Sequence, residues 1–269
     1  MSHIRLIISD IDGTILNDHH QIDPQLAALI PDLKRERIPF VLASARSPKG
    51  MAPIAQELGI EDWPMACYNG ALIQQGEQVL LEHPLDKTEA RQFINWAKAH
   101  FPQVSINLYS GKDWMTDRLD QWSQEEARIT GEKPLILPLL DPLLDTTKPL
   151  HKLLLIGEAE EIQALYRTLS ADDFPSTAFY LSKANYLEVT AKNVSKEDAL
   201  VELAKHYHLR LEEVLTMGDN FNDLPMLKKA GIGVAMGNAP QEVKDEAAVV
   251  TKDNNENGAG QAVETYVLI

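Results

Sequence analysis

The sequence predicts an α/β fold, a parallel-sheet domain interrupted by an inserted α+β module, and three observations carry that prediction. Short apolar runs alternate with amphipathic helical stretches in the first third of the chain and again near its end, the pattern of βαβ units. Between about residues 85 and 185 the alternation gives way to short strand-like pieces, a proline-punctuated stretch and scattered helices. Several of the apolar runs end in polar clusters, as strands do when their carboxyl ends build a site. The expected organisation is a core of residues 1–84 and 186–269 with an inserted module at 85–185.

Each element has a local reason. Leu6-Ile7-Ile8 is a buried strand, and Asp23-Pro24 opens a helix whose apolar face is Leu26, Ala27, Leu29, Ile30 and Leu33. Pro31 is expected to kink or split that helix. Pro39 to Ala43 is a second strand, Ser47-Pro48 starts a helix ending near Gly59, and Met65 to Tyr68 runs into Asn69-Gly70-Ala71. Leu72 to Ile73 and Val79 to Leu81 flank a polar turn as a hairpin. In the module, Asp86-Lys87-Thr88-Glu89 is a capping box before Ala90, Phe93, Ile94 and Ala97. Strand-like pieces follow at Val104 to Tyr109, Trp114 to Thr116, Lys152 to Ile156, Thr177 to Leu181 and Tyr186 to Val189, with a helix from Ala159 to Leu169. Afterwards Ser195 caps a helix, Val214 to Met217 is a strand, and Asn222 or Asp223 opens a helix with Pro225 in its first turn. Ile232 to Ala235 and Ala248 to Thr251 close the sheet, with helices at Pro240 to Glu246 and Ala259 to Val267.

Composition narrows the function classes. The 269 residues are 44% apolar, ample for a core, and carry a formal charge of -15, which argues against nucleic-acid or anionic-membrane partners. No apolar run approaches the roughly 20 residues that span a bilayer. The single cysteine, Cys67, and the absence of a leader-like start fit a soluble cytoplasmic protein.

Four clusters carry the chemistry. Asp10 and Asp12, spaced i, i+2 before Gly13, repel one another unless a cation sits between them or one takes a proton, and a hard divalent ion such as Mg²⁺ is the natural occupant. Ser44 and the Ala45 amide are suited to donate to phosphate oxygens, with Arg46 beside them. Lys196 sits at a helix start, where a cation is disfavoured by roughly 0.3–1 kcal/mol unless an anion compensates. Asp219, Asn222 and Asp223 follow a predicted strand. Each has an ordinary explanation alone, in a turn, a surface lysine or an N-cap; one shared site explains all four.

In order and spacing, Asp10-x-Asp12-Gly13-Thr14, Ser44, Lys196 and Gly218-Asp219-x-x-Asn222-Asp223 resemble the four motifs of the haloacid dehalogenase (HAD) superfamily. The inserted module and Asn69-Gly70-Ala71 resemble its Cof-type sugar phosphatase branch, and Gly233-Val234-Ala235-Met236-Gly237-Asn238-Ala239 extends the likeness towards the end of the chain. The resemblance implies a HAD-like Rossmannoid core with a C2-type cap. It further implies that Asp10 attacks phosphorus to form an aspartyl-phosphate and that Asp12 acts as general acid and base. Mg²⁺ would be held by Asp10, Asp12, Asp219 and Asn220. Phosphate would be bound by Ile11, Ser44, Ala45, Lys196 and Asn222, with Arg46 and Asp223 in support. The implied substrate is a small phosphorylated metabolite, foremost a sugar phosphate; no protein partner is evident. Ala45, Asn193 and Glu197 stand where the family often has glycine.

Two other readings use the same residues. A phosphomutase or phosphotransferase would hold a second hydroxyl in place of water, yet the basic residues of the module (Lys87, Arg91, Lys98, Lys112, Arg118, Arg128, Lys133) are scattered. A non-catalytic metabolite-binding protein on this scaffold would be marked by loss of the nucleophile, and Asp10 is present.

Overall fold

The computed structural model describes residues 4–170 and 172–268. The chain forms two compact units, one built from residues up to Arg46, Met51–Leu81 and the segment from Ser195 onward, the other from Ser47–Gly50 and Glu82–Val194.

The first unit begins with β1 (Leu6–Ser9), α1 (Pro24–Glu36), β2 (Phe40–Ala43), α2 (Pro48–Leu58), β3 (Met65–Cys67), β4 (Leu72–Gln75) and β5 (Gln78–Glu82). The chain then passes through α3 (Lys87–His100), β6 (Ser105–Ser110), β7 (Asp113–Thr116), α4 (Gln121–Thr130), β8 (Leu135–Ile136), α5 (Asp141–Leu144), β9 (Lys152–Ile156), α6 (Ala159–Thr168), β10 (Thr177–Lys183) and β11 (Tyr186–Ala191). It returns as α7 (Lys196–His206), β12 (Val214–Gly218), α8 (Leu224–Lys229), β13 (Ile232–Ala235), α9 (Gln241–Glu246), β14 (Val249–Val250) and α10 (Gly258–Tyr266).

The eight-stranded sheet has the order β14-β13-β12-β1-β2-β3-β4-β5 and is parallel from β14 to β3. Strand β1 is buried along its length, as a central strand covered on both faces must be, which is why it reads as an unbroken apolar run. The chain leaves β1 to one side through β2 and β3 and comes back on the other through β12, β13 and β14. The gap between β1 and β12 is therefore the point where the winding reverses, and ligands of such sheets bind outside the strand ends there. Asp10 and Asp219 directly follow these two strands.

The second unit holds a six-stranded sheet of order β10-β11-β9-β6-β7-β8, antiparallel except for the β7–β8 pair. Phe93, Ile94 and Ala97 of α3 and Ile162 and Leu165 of α6 pack with alternate strand residues, among them Ile106, Leu108, Leu153, Leu155, Leu187 and Val189. Alternate residues of these strands face the helices, as in an antiparallel sheet with helices packed on it, the arrangement of an α+β module.

Two expectations need correction. The boundary at residue 185 falls too early: β11 pairs antiparallel with both β10 and β9, so Tyr186–Ala191 completes the second unit's sheet. Pro31 does not split α1, which runs unbroken from Pro24 to Glu36. Pro31 and Ala27 both lie on the exposed face, where the carbonyl of Ala27, deprived of its helical donor, reaches water.

Candidate active site

The strand order brings three acids and one lysine together. Asp10, Asp219 and Asp223 each offer a carboxylate oxygen within 4.8 Å of the others. Lys196, the first residue of α7 and 2% exposed, donates from Nζ to Asp10 Oδ1 and, at 2.5 Å, to Asp223 Oδ1. The sequence puts a cation at the wrong end of a helix, and these two buried carboxylates are the compensation. Ser195 caps the helix by accepting from Asp198 N at 3.1 Å.

Asp223 serves the cluster rather than capping its own helix. Its Oδ2 accepts from the backbone amides of Asp219 and Asn220, both at 3.0 Å, so the loop folds back onto the carboxylate. A Cβ at Gly218 would lie 2.4 Å from Asp223 Cβ, so only glycine permits that return. Asp219 Oδ1 in turn accepts from Thr14 Oγ1 at 3.0 Å, joining the β12 loop to the β1 loop.

One ammonium faces three carboxylates. Burial pushes Asp10 well above the usual carboxylate range, and the opposing pull of Lys196 does not restore it because Asp223 and Asp219 add repulsion. Burial, reinforced by Asp223, likewise lifts Asp219 to about 6. Burial alone would lower Lys196, but the two carboxylates outweigh it and its pKa rises. An all-oxygen donor set with surplus negative charge fits a hard divalent cation, with Asp10 and Asp219 as the carboxylates best able to hold it, since Asp223 is already engaged by Lys196 and two amides.

That electrostatic imbalance makes a prediction. A carboxyl whose folded pKa is raised above its unfolded value contributes stability below the unfolded pKa and loses it as pH rises through the folded one. Asp219 therefore weakens the metal-free fold as pH rises from about 4 through about 6, and Asp10 continues the trend above. Mg²⁺ at a fixed concentration, about 100 times its Kd at pH 7, should stabilise by about 2.7 kcal/mol there and by less at pH 5, where protons compete. Thermal melts in EDTA and in Mg²⁺ at the two pH values check this; melts insensitive to Mg²⁺ at both would contradict it.

The remaining predicted residues lie around this cluster in the same unit. Arg46 grips Asp12 with a two-point fork, Nε to Oδ2 at 2.8 Å and Nη2 to Oδ1 at 2.6 Å. The Asp12 carboxylate is half exposed and turned to this guanidinium rather than to the three acids. Ser44, at the end of β2 and buried, accepts from Arg46 N at 3.2 Å and keeps its hydroxyl proton to donate. Ala45 follows it and Ile11 is buried. Asn222 is exposed in the loop before α8; Asn220 Oδ1 accepts from Phe221 N at 2.8 Å. Glu197 is paired with Lys229 at 2.7 Å, which offsets the charge it adds beside Lys196.

Thr14 was visible in the Asp-Gly-Thr run, but its bond to Asp219 spans 205 positions. Gly70, at φ +101, lets the Asn69-Gly70 turn approach α7: a Cβ there would come within 2.9 Å of Ala199 Cβ.

Comparison with known proteins agrees with this geometry. The model of the haloacid dehalogenase-like hydrolases matches residues 7–263. A Haemophilus influenzae protein is 36% identical over 97% of both chains. Phosphatase YwpJ of Bacillus subtilis is 28% identical over 95% of this chain and 97% of its own. The crystal structure of a haloacid dehalogenase-like hydrolase from Bacteroides thetaiotaomicron superposes with a TM-score of 0.88 at 30% identity, covering 97% of this chain and 98% of that one. With the acid cluster at the switch point of a parallel sheet and a family match along nearly the whole sequence, the chain belongs to the haloacid dehalogenase-like hydrolases.

Proposed function

We propose that this hydrolase is a Mg²⁺-dependent phosphatase of small phosphorylated metabolites, sugar phosphates foremost, working through an aspartyl-phosphate on Asp10. The observation that carries the reading is a carboxylate at the switch point that is bonded to a buried lysine and lies beside two further acids. Kinship with a named phosphatase supports the reaction class.

In the first half-reaction a carboxylate oxygen of Asp10 attacks phosphorus as the ester P–O bond breaks, and Asp12 gives its proton to the departing alkoxide. In the second, Asp12 takes a proton from water as that water attacks the phosphorus of the acyl phosphate. The bond to Asp10 then breaks and inorganic phosphate leaves. Arg46 holds Asp12 in a two-point fork before substrate arrives, and carrying the proton requires one Asp12 oxygen to leave that fork. Lys196 offsets the charge of Asp10 and of the phosphoryl oxygens, and Asp223 holds Lys196 in place. Ser44, Ala45, Ile11 and Asn222 serve the remaining oxygens. A divalent ion held by Asp10 and Asp219, with the Asp12 backbone carbonyl and Asn220 as further ligands, would supply charge neutralisation between nucleophile and phosphate dianion. The inserted unit, Glu82–Val194, is proposed as the substrate-selecting cap.

Phosphate release from an aryl phosphate, followed by a panel of phosphorylated metabolites, tests the reading with and without Mg²⁺. Turnover that requires the ion supports it; no release from any phosphoester in Mg²⁺ overturns it.

A further inference from the structure

The Gly233–Ala239 segment has no part in the chemistry above, yet its asparagine reaches the nucleophile loop. Asn238 Nδ2 donates to the Gly13 carbonyl at 2.9 Å, and Asn238 Oδ1 accepts from Asn254 N at 3.0 Å. The two bonds fix the amide's orientation, donor towards Gly13 and acceptor towards Asn254. Asn254 is 6% exposed and its own Nδ2 donates to Leu16 O at 3.0 Å and Asp18 Oδ1 at 3.2 Å. Residues 13, 16 and 18 are thus tied to the loops that follow β13 and β14.

Strands β1 and β13 are separated by β12, roughly 10 Å or two strand spacings, and the loops that follow them close that gap to make the 2.9 Å bond. Gly13 has φ +78, and a Cβ on it would come 2.5 Å from Asp219 Oδ2, so its backbone is seated on that carboxylate. At Gly237 a Cβ would lie 2.7 Å from Asp253 N, which is why the crossing loops meet at a glycine.

We propose that Asn238, held by Asn254, is a positioning residue for the turn carrying Asp10 and Asp12: it straps Gly13 down against Asp219. Asn238 is exposed, so water can take over its bonds and the fold loses little without it; water does not reproduce a fixed bridge. The kinetic part of this inference rests on the roles proposed for Asp10 and Asp12.

The test compares Asn238→Asp, which keeps the acceptor for Asn254 but opposes a carboxylate to the Gly13 carbonyl, with Asn238→Ala, which adds no charge. Both should lower kcat for an aryl phosphate by about ten- to a hundredfold with KM changed by less than about threefold. Adding Asn254→Ala should cost less than its single effect, because the three loops act as one unit. Hydrogen exchange in the peptide covering residues 10–18 should speed up by about tenfold in both variants, and at the Asn254 amide in Asn238→Ala, with the remaining peptides unchanged. Wild-type kcat in both variants, or unaltered exchange at residues 10–18, overturns the proposal. If the wild-type protein hydrolyses no phosphoester, the functional reading fails, while the exchange measurement still decides the strap.

Discussion

Asp10→Asn abolishes turnover, by about 10⁴-fold or more, and leaves the protein folded. The substituted amide matches the carboxylate in shape and retains an oxygen that accepts from Lys196, so the packing between β1 and α7 survives. An amide oxygen does not displace the alkoxide and yields no acyl phosphate. The same change removes one of three negative charges crowded within 4.8 Å. Burial and repulsion already hold Asp10 above the usual carboxylate range, so its neutral replacement relieves a charge that the metal-free fold tolerates poorly. The melting temperature in EDTA therefore holds or rises, as happens where a site is built for chemistry at the expense of stability. The Mg²⁺-induced rise in melting temperature shrinks at the same time, because one of the two open carboxylates is gone. Circular dichroism, thermal melts and phosphate release on one preparation check the three outcomes. Residual activity near the wild-type value would place the nucleophile elsewhere.

Lys196→Met has the second largest effect, and it falls on stability as well as rate. Lys196 is 1% exposed at its side chain and bridges Asp10 and Asp223, of which Asp223 is equally buried. Methionine fills a similar volume and offers no charge, leaving two buried carboxylates facing each other. Breaking a buried pair by removing one partner costs about 3–5 kcal/mol. For a chain of this size that lowers the melting temperature by roughly 10 °C at neutral pH. Because the orphaned groups are carboxylates, acid relieves them, and the deficit against wild type narrows as pH falls towards 4. The rate drops too, by roughly 10²–10³-fold, as one preorganised positive group is lost from the phosphoryl site. Equal melting temperatures for variant and wild type at pH 7 would mean that Lys196 does not carry the charge balance of the site.

Much of this site was legible because its parts sit where apolar runs stop. Leu6-Ile7-Ile8 and Val214 to Met217 read as strands of a parallel sheet, and their parallel pairing puts the acids that follow them at one end of it. Lys196 stood out because its position opposed the helix dipole. What escaped notice depends on contacts that no local pattern encodes. The Arg46 fork on Asp12 joins side chains 34 residues apart, and Asp12 looks on paper like a neighbour of Asp10 rather than of Arg46. The helix α4 turns Ser123 and Glu126 rather than apolar residues to the interior, so its buried side does not read as a core face in the sequence; the Asp120–Ser123 capping box marks its start. A boundary at 185 cuts off a strand that the α+β pattern already includes: Tyr186–Ala191 pairs with β10 and β9, so the insertion's sheet ends after it. Pro31 is tolerated within α1 because it and Ala27 lie on the exposed face, where water can take the place of the lost helical donor.

The central claim is that Asp10 captures the phosphoryl group beside an ion it shares with Asp219. Its most direct test is an acid quench of the enzyme mixed with excess phosphoester and Mg²⁺ on the millisecond scale, followed by mass spectrometry of the peptide containing Asp10. The account predicts a phosphoryl group on Asp10 that forms before steady state, disappears on chase with water, and is absent in EDTA and in Asp10→Asn. Phosphate released at full rate with Asp10 never modified, or a phosphoryl group found on another residue, would contradict it.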